Sequence, residues 1–373
     1  MFGHKHYVSV MRAKPAELRA LRDLAPALRP WTTPLLECPL RVVSDCQSRR
    51  DFEAKFDAIV RHLSGWSRRT VFLDFSMVRE EKPHSIEVIA DRAALLGIRP
   101  VPVVSVKVPQ PAEYDRSIQV VLSRHGSSLG LRVSPEVLRS ESIGEMVQAR
   151  LARFGASPSQ VDLLIDRGGV DAGSVTYQEF AYRIPSIEAW RTLTVLAGSF
   201  PKDLADLARN ETHRLRRFEF RQWRDLGSWS GRRPAFGDYT VQHVVFREPV
   251  SVPNLSASIR YTIEDDFLVL RGEGVLNPSG PGRGQWSAWA ALLAEMPEFF
   301  GATFSAGDRY VVERARDWSN PGTAQKWLQA AFSHHVTTTA LQVAGRLDRV
   351  REVAANVSDW TSVVDLGRPE AAL

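Results

Sequence analysis

The stretch HYVSVMRAKPAELRALRDLAPALRPWTTPLLE, residues 6–37, decides the fold class. Its apolar start, His6–Val10, predicts a strand. Pro15–Leu28 predicts a helix, because proline suits the first helical position and leucines recur at helical spacing. Thr33–Leu36 predicts a second strand that ends directly before Glu37. Two strands joined through a helix by short turns form a βαβ unit, which places them parallel in one sheet.

The same unit recurs along the chain as far as residue 239. Further strands are predicted at Thr70–Leu73, Arg99–Val106, Leu129–Val133, Val161–Ile165, Thr194–Ala197 and Pro234–Tyr239. The helices predicted between them are Asp51–Leu63, Ser85–Leu96, Ala112–Arg124, Ile143–Phe154, Ile187–Leu193 and Asn210–Leu226. The first strand is not followed by the glycine-rich phosphate turn of an open doubly wound sheet. We therefore predict an α/β fold, a closed (β/α)8 TIM-like barrel.

The pattern changes after residue 239. Ser258–Arg271 predicts a β-hairpin that turns at Glu264–Asp265, and a Gly/Pro-rich loop, Gly272–Gly284, follows it. Helices are predicted at Trp286–Leu293, Gly307–Arg316 and Thr323–Leu347. We interpret residues 240–305 as a hairpin and loop inserted over the barrel mouth before the last helices. Residues 1–353 then form a single barrel domain, and 354–373 form a frayed C-terminal tail.

Composition limits the class of protein. The chain has 373 residues with 44% hydrophobic and 24% charged residues, which is ordinary for a globular protein. No long apolar run predicts a membrane span or a signal peptide, and Cys38 and Cys46 have neither redox-pair nor zinc spacing. We expect reduced thiols, a cytoplasmic location and no membrane partner. The net charge of +5 favours anionic partners, although arginine excess (only seven of 48 basic residues are lysine) weakens this evidence.

A ring of charged residues falls at or just after the predicted strand ends, where barrel enzymes place their active sites. Its members are Lys14, Glu37, Asp74, Lys107, Arg132, Asp166 and Asp238. Glu37, Asp74 and Asp166 are candidate catalytic residues, either as ligands of Mg²⁺ or Mn²⁺ or as a metal-free proton-transfer site. Lys14, Arg132 and Asp238 are candidate ligand-binding residues. The alternative is a set of structural salt bridges on the turns.

Two arginines of the predicted hairpin form a second candidate site. With a two-residue turn, Arg260 lies opposite Val269 and Ser258 opposite Arg271, so both arginines share one face as diagonal neighbours. An anion between them would offset their repulsion, and arginine forks suit phosphate or carboxylate. The alternative is pairing with Glu264, Asp265 or a distant acid.

Two further clusters are weaker candidates. Helical spacing places Arg214, Arg217, Arg221 and Arg224 in one stripe, which either follows a nucleic-acid backbone or is a solvated outer face. His334 and His335 point about 100° apart on a predicted helix, so they do not share one metal. One of them, His334, is a candidate catalytic acid at the mouth, and a packed histidine is the alternative.

Four stretches resemble the beta protein family of phage and bacterial genomes, which is distinct from the single-strand annealing protein of the same name. They are YVSVMRAKPAELRALRDLAPALRPWTTPLLE (7–37), FGDYTVQH (236–243), SIRYTIEDDFLVLRG (258–272) and SHHVT (333–337). The resemblance covers nearly the whole chain. It implies an association with phages, mobile elements and antiviral defence, and it assigns no activity and no residue roles.

Two functions follow from these features as hypotheses. The first is an enzyme that acts on a phosphate-containing ligand, as a metal-assisted phosphodiester or nucleotide hydrolase. Glu37, Asp74 and Asp166 would serve the metal or water, and the basic residues would neutralise phosphate. The second is a non-catalytic sensor of a nucleic acid, nucleotide or phage component that works with a separate effector protein.

Overall fold

The computed structural model describes residues 2–107, 111–174, 182–228, 231–246, 255–354, 357–362 and 364–367. Its strands are β1 (Tyr7–Arg12), β2 (Thr32–Glu37), β3 (Thr70–Asp74), β4 (Arg99–Ser105), β5 (Leu129–Val133), β6 (Val161–Gly169), β7 (Thr192–Gly198), β8 (Glu211–Arg216), β9 (Ala235–Asp238), β10 (Ser256–Ile263) and β11 (Asp266–Gly274).

The helices of the first half are α1 (Pro15–Asp23), α2 (Leu40–Val43), α3 (Arg49–Arg61), α4 (Ser85–Leu95), α5 (Ala112–His125), α6 (Pro135–Leu138) and α7 (Ile143–Phe154). Those of the second half are α8 (Phe218–Arg224), α9 (Gln285–Glu295), α10 (Ala306–Arg316), α11 (Ala324–Val343) and α12 (Leu347–Ala354). Within the described ranges, no helix combines the length and apolarity that a membrane crossing requires.

Eight parallel strands close into a barrel in the order β1-β2-β3-β4-β5-β6-β7-β9, which confirms the predicted (β/α)8 fold. The strands are short and buried on both faces, so side chains alternate between the barrel interior and the surrounding helices. The interior cluster contains Val8, Val10, Leu35, Phe72, Val101, Val103, Leu164, Leu196 and Tyr239. At Gly237 a Cβ atom would lie 2.8 Å from the carbonyl oxygen of Val8, so only glycine allows β9 to approach β1 this closely.

The predicted hairpin has the expected register, with Ser258 opposite Arg271 and Arg260 opposite Val269. It does not stand alone, because β11 also pairs with β8, so the small sheet has the order β10-β11-β8. The helix predicted over Asn210–Leu226 is therefore wrong in its first half. Alternating exposure along β8 and its pairing with β11 outweigh the helical spacing of the arginines.

Predicted elements elsewhere also change, and the helix predicted over Thr323–Leu347 ends at Val343. The helix predicted over Pro15–Leu28 ends at Asp23 and gives way to a 3-10 turn, Pro26–Trp31. Only a single 3-10 turn, Ile187–Ala189, is present where a helix was predicted up to residue 193. The region predicted as a frayed tail contains Trp360, whose ring is buried and whose indole nitrogen donates to the Phe304 carbonyl at 3.1 Å. Trp360 therefore belongs to the packed core.

Candidate functional site

The carboxyl ends of the barrel strands bring the predicted acidic residues together. Inward alternation along β2, β3 and β6 places Glu37, Asp74 and Asp166 at one level, and Glu37 and Asp74 are directly paired in register. Arg132 reaches the same point from β5. The predicted convergence of these four residues at the mouth is therefore present in the fold, and all three carboxylates are buried.

Arg132 occupies the centre of this group. Its Nη1 donates to Glu37 at 2.9 Å and to Asp74 at 2.5 Å, and its Nε and Nη2 donate to one oxygen of Asp166 at 2.9 and 2.8 Å. Nη2 also donates at 2.6 Å to the Tyr239 hydroxyl, which itself donates to Asp166 at 2.6 Å. We call these five residues the Arg132 cluster. Although burial lowers the pKa of Arg132, Tyr239 and the three acids raise it well above its ordinary value.

The geometry of the Arg132 cluster does not support the predicted metal site. The guanidinium lies between the three carboxylates, where a Mg²⁺ or Mn²⁺ ion would have to bind. Among the described residues, no group of three or more His, Cys, Asp or Glu side chains is arranged to hold a metal ion. The sequence predicts that three carboxylates converge, which is compatible with a metal ion. Residue spacing does not reveal which cation lies between them. In the fold that cation is an arginine, in agreement with the salt-bridge alternative.

A second arginine at the mouth, Arg12, leaves a polar gap beside the cluster. Its terminal nitrogens donate to Gln242 Oε1 at 2.5 Å and to the His243 carbonyl at 2.8 Å. Its Nε lies 3.9 Å from Oε2 of Glu37, and neither of these buried atoms has a hydrogen-bond partner. Burial raises the pKa of Glu37, and the neighbouring Asp74 adds to the rise against the effect of Arg132. Glu37 therefore combines a raised pKa with a buried carboxylate oxygen that has no hydrogen-bond partner.

Sequence reasoning missed Arg12, Tyr239 and Gln242 as members of the site. Arg12 continues the inward alternation of Val8 and Val10, so strict two-residue periodicity would have found it. Predicted Lys14 lies nearby, with its ammonium 3.9 Å from the centre of the Phe246 ring, which also lies against Arg12. Residues 242–246, which follow β9, therefore lie over Arg12 and Lys14 at the mouth.

Asp238 and the histidines lie away from the mouth interior. Asp238 points outward, where it accepts from the Tyr7 hydroxyl at 2.6 Å and from His335 Nε2 at 2.9 Å. Burial lowers the pKa of His335, whose Nδ1 accepts from the Thr262 hydroxyl at 2.8 Å, so the ring is a neutral structural link. His334 is 1% exposed, which contradicts its predicted place at the mouth.

The surroundings of His334 explain this burial. Its Nδ1 lies 2.9 Å from Asp308 and its Nε2 lies 2.8 Å from the Thr262 carbonyl. Its ring stacks on Tyr261 with a centroid distance of 3.7 Å. The packed-histidine alternative therefore describes His334.

The predicted arginine stripe does not exist as one surface. Arg214 lies on β8 and pairs with Glu298, whereas Arg221 and Arg224 lie on α8. Arg217 is fully buried and donates to Gln342 at 2.7 Å and to the Glu264 carbonyl at 3.0 Å. A continuous helix would have aligned the four arginines, whereas the strand followed by a short helix separates them. The prediction that these four arginines form one continuous stripe is therefore wrong.

The two hairpin arginines line a cavity of about 710 Å³ between the small sheet, residues 202–209 and the start of α11. We call it the hairpin cavity. Arg260 donates to the Val241 carbonyl at 2.7 Å, and Arg271 donates to the Ala205 and Leu207 carbonyls. In the described part of the chain, neither arginine has a carboxylate within salt-bridge distance, so the predicted alternative of acidic partners does not hold.

The hairpin cavity differs from the mouth in its balance of charge. Burial lowers the pKa of Arg260 to about 10. The Nε of Arg271 is buried without a hydrogen-bond partner. Exposed Lys202 and Arg209 add positive charge, and Asp203 is the acidic residue among the described residues that line the cavity. The cavity therefore carries positive charge that the described protein groups do not neutralise.

Comparison with known proteins identifies the family. The model of the family described as "Beta protein" matches residues 7–340, so the chain belongs to the beta protein family. No curated protein matches the chain.

Solved structures give distant matches. A mutant tryptophan synthase alpha-subunit from Pyrococcus furiosus is 12% identical with a TM-score of 0.35, covering 64% of this chain and 89% of that one. Endo-beta-N-acetylglucosaminidase from Cordyceps militaris is 12% identical with a TM-score of 0.33, covering 63% of this chain and 81% of that one. Neither likeness extends to function.

Proposed function

We propose that this member of the beta protein family binds a nucleotide-sized, phosphate-containing ligand in the hairpin cavity. The observation that carries the proposal is a pair of arginines, Arg260 and Arg271, that line one cavity without a carboxylate partner among the described residues. An unpaired buried cation is costly, and a bound anion offsets that cost. Planar guanidinium groups bind phosphate oxygens in pairs.

Size and position support the same ligand class. Small-molecule pockets measure roughly 300–1,000 Å³, and the hairpin cavity has about 710 Å³. Residues 202–209 follow β7, and Val241, which anchors Arg260, follows β9, the eighth barrel strand. By analogy at the level of the fold, the loops after strands seven and eight of such barrels often bind phosphate.

The binding form of the function is favoured over the metal-assisted hydrolase. A metal held by Glu37, Asp74 and Asp166 would have to displace Arg132, which donates to all three. A sensor needs only the cationic cavity, and it would pass the bound state to a separate effector protein. We place this role in the phage or antiviral-defence setting that the family resemblance implies.

Calorimetric titration with inorganic phosphate, nucleoside mono-, di- and triphosphates and a dinucleotide tests the proposal. We expect saturable binding of at least one phosphate compound without turnover. Arg260→Met should weaken it about 10–100-fold, because a hydrogen bond to a charged group contributes about 1.5–3 kcal/mol. The unliganded variant should be no less stable than the parent, because a half-buried charge without a carboxylate partner among the described residues has been removed.

Exposed positions supply the controls. Lys202→Gln with Arg209→Gln should weaken binding without touching the packed core, whereas Arg216→Met changes an exposed arginine of the same sheet and should leave affinity unchanged. Binding that none of the cavity variants alters, or no binding of any phosphate compound, would overturn the proposal.

A second candidate, hydrolysis at the mouth, is favoured by the gap between Arg12 Nε and Glu37 Oε2. These buried, unpartnered atoms 3.9 Å apart provide a donor and an acceptor for a reacting group. Glu37→Gln and Asp74→Asn should then abolish turnover of a nucleotide or phosphodiester, measured with and without Mg²⁺ or Mn²⁺. Glu141→Gln, an exposed control, should retain turnover. Unchanged rates in both mouth variants would eliminate this candidate.

A further inference from the structure

The opposite end of the barrel, where the strands begin, carries a second cationic cavity of about 310 Å³. Five arginines line it: Arg29, Arg68, Arg69, Arg99 and Arg191. We call this cavity the arginine cleft. The arginines stand in the turns that enter β2, β3, β4 and β7 or at the first position of the strand. No acidic residue is among the described residues that line the cleft.

Charge compensation in the arginine cleft is incomplete. Arg191 pairs with the fully buried Asp162. Arg29 donates to the Arg22 carbonyl at 3.2 Å, and Arg99 donates to the Arg68 carbonyl. Within the ranges that the structure describes, the four arginines other than Arg191 have no carboxylate within 4.0 Å. Burial and the charge of Arg69 lower the pKa of Arg29.

The cleft also contains buried polar atoms that have no hydrogen-bond partner. His6 and Thr32 line it and are 5% and 2% exposed, yet His6 Nδ1 and Thr32 Oγ1 have no partner. The Nε atoms of Arg29 and Arg191 are buried and unpartnered as well. Buried polar groups in proteins are normally satisfied by protein or by a bound species. Unmet donors beside uncompensated cations are the features of an anion site.

We propose that the arginine cleft binds successive phosphates of a single-stranded nucleic-acid backbone. One or two guanidinium forks are enough for a single phosphate, so five arginines match several consecutive phosphates better than one small anion. Phe2 also lines the cleft, stacked on His6 with a centroid distance of 4.1 Å. Aromatic rings beside a positive groove are how proteins hold single strands without reading their sequence. This site lies at the other end of the barrel from the hairpin cavity and stands independently of it.

Fluorescence anisotropy with labelled 12-nucleotide single-stranded DNA and RNA, over a series of salt concentrations, tests the proposal. Neutralising about three phosphates of a single strand gives a slope of log K against log salt near −2. The double variant Arg68→Asn with Arg99→Gln removes two exposed cleft arginines. It should weaken binding at least tenfold and reduce the magnitude of the slope by about 1. Arg68 has a φ of 64°, a conformation that asparagine accepts readily, so the variant should fold.

The matched control is Arg50→Gln with Arg116→Gln, which removes two exposed arginines outside the cleft and should leave binding nearly unchanged. Arg260→Met should also have no effect, which separates this site from the hairpin cavity. Equal losses in the cleft and control doubles would reduce the interaction to net charge and overturn the proposal. Displacement of the oligonucleotide by a polyglutamate peptide of equal charge and concentration would overturn the nucleic-acid assignment in favour of an acidic protein segment.

Discussion

Replacement of Arg132 by methionine tests how the barrel mouth is stabilised. The substitution keeps most of the side-chain length but removes the cation that donates to Glu37, Asp74 and Asp166 at 2.5–2.9 Å. Removing one partner from a buried ion pair costs about 3–5 kcal/mol, because the remaining charges stay buried without compensation. We expect a loss in this range in the free energy of unfolding at pH 8.

The loss should depend on pH with a definite sign. Burial already raises the pKa of Glu37 above its ordinary value of 4.5, and Arg132 opposes that rise. Without the arginine the folded-state pKa moves further up. A carboxyl whose pKa is raised in the folded state makes its full contribution to the free energy of unfolding below the unfolded-state pKa. That contribution is lost as the pH rises toward the folded-state pKa. The deficit of the variant should therefore be smaller at pH 5 than at pH 8.

Urea denaturation of both proteins at pH 5, 6.5 and 8 measures the deficit. Arg224→Met is the control, since Arg224 likewise donates to a carboxylate, that of Asp265, but lies at the surface. Exposed pairs contribute up to about 1 kcal/mol. A loss for Arg132→Met of similar size to the control, with no dependence on pH, would refute the argument that the buried carboxylates need this cation.

Two other substitutions give sharp expectations. Burial, together with the charge of Asp238, raises the pKa of Glu219 from 4.5 to about 7. The protonated side chain therefore stabilises the folded state by about 3 kcal/mol at low pH. This stabilisation is lost as the pH rises from 4.5 to 7. Glu219→Gln should flatten the fall in unfolding free energy across that interval, and an unchanged pH profile in denaturant titrations would contradict the assignment. Gly307→Ala should lower the melting temperature by several degrees, because its Cβ would collide with the Ala330 carbonyl on α11 where α10 crosses. Gly284→Ala, which has open space around its Cβ, is the control, and equal melting temperatures for the two variants would contradict the close helix crossing.

Local sequence patterns predicted those structural features that depend on residues close together in the chain. Short apolar runs identified all eight barrel strands, because a parallel barrel buries both faces of each strand. The two-residue turn at Glu264–Asp265 fixed the hairpin register, because turn length sets which residues face each other. The helical spacing of Arg214 and Arg217 failed, because pairing with β11 is a long-range interaction that no local window contains.

The same distinction between local pattern and long-range contact applies to the candidate sites. The sequence by itself determined the barrel, the level at which Glu37, Asp74 and Asp166 meet, and the shared face of Arg260 and Arg271. Only the tertiary structure decided that Arg132 fills the space between the carboxylates and that the hairpin arginines lack acidic partners within the described chain. It also assembled the arginine cleft from turns far apart in sequence. Periodicity fixes the direction of a side chain from its neighbours, whereas the partner of a charge is fixed by which distant segments the closed barrel brings within a few ångströms.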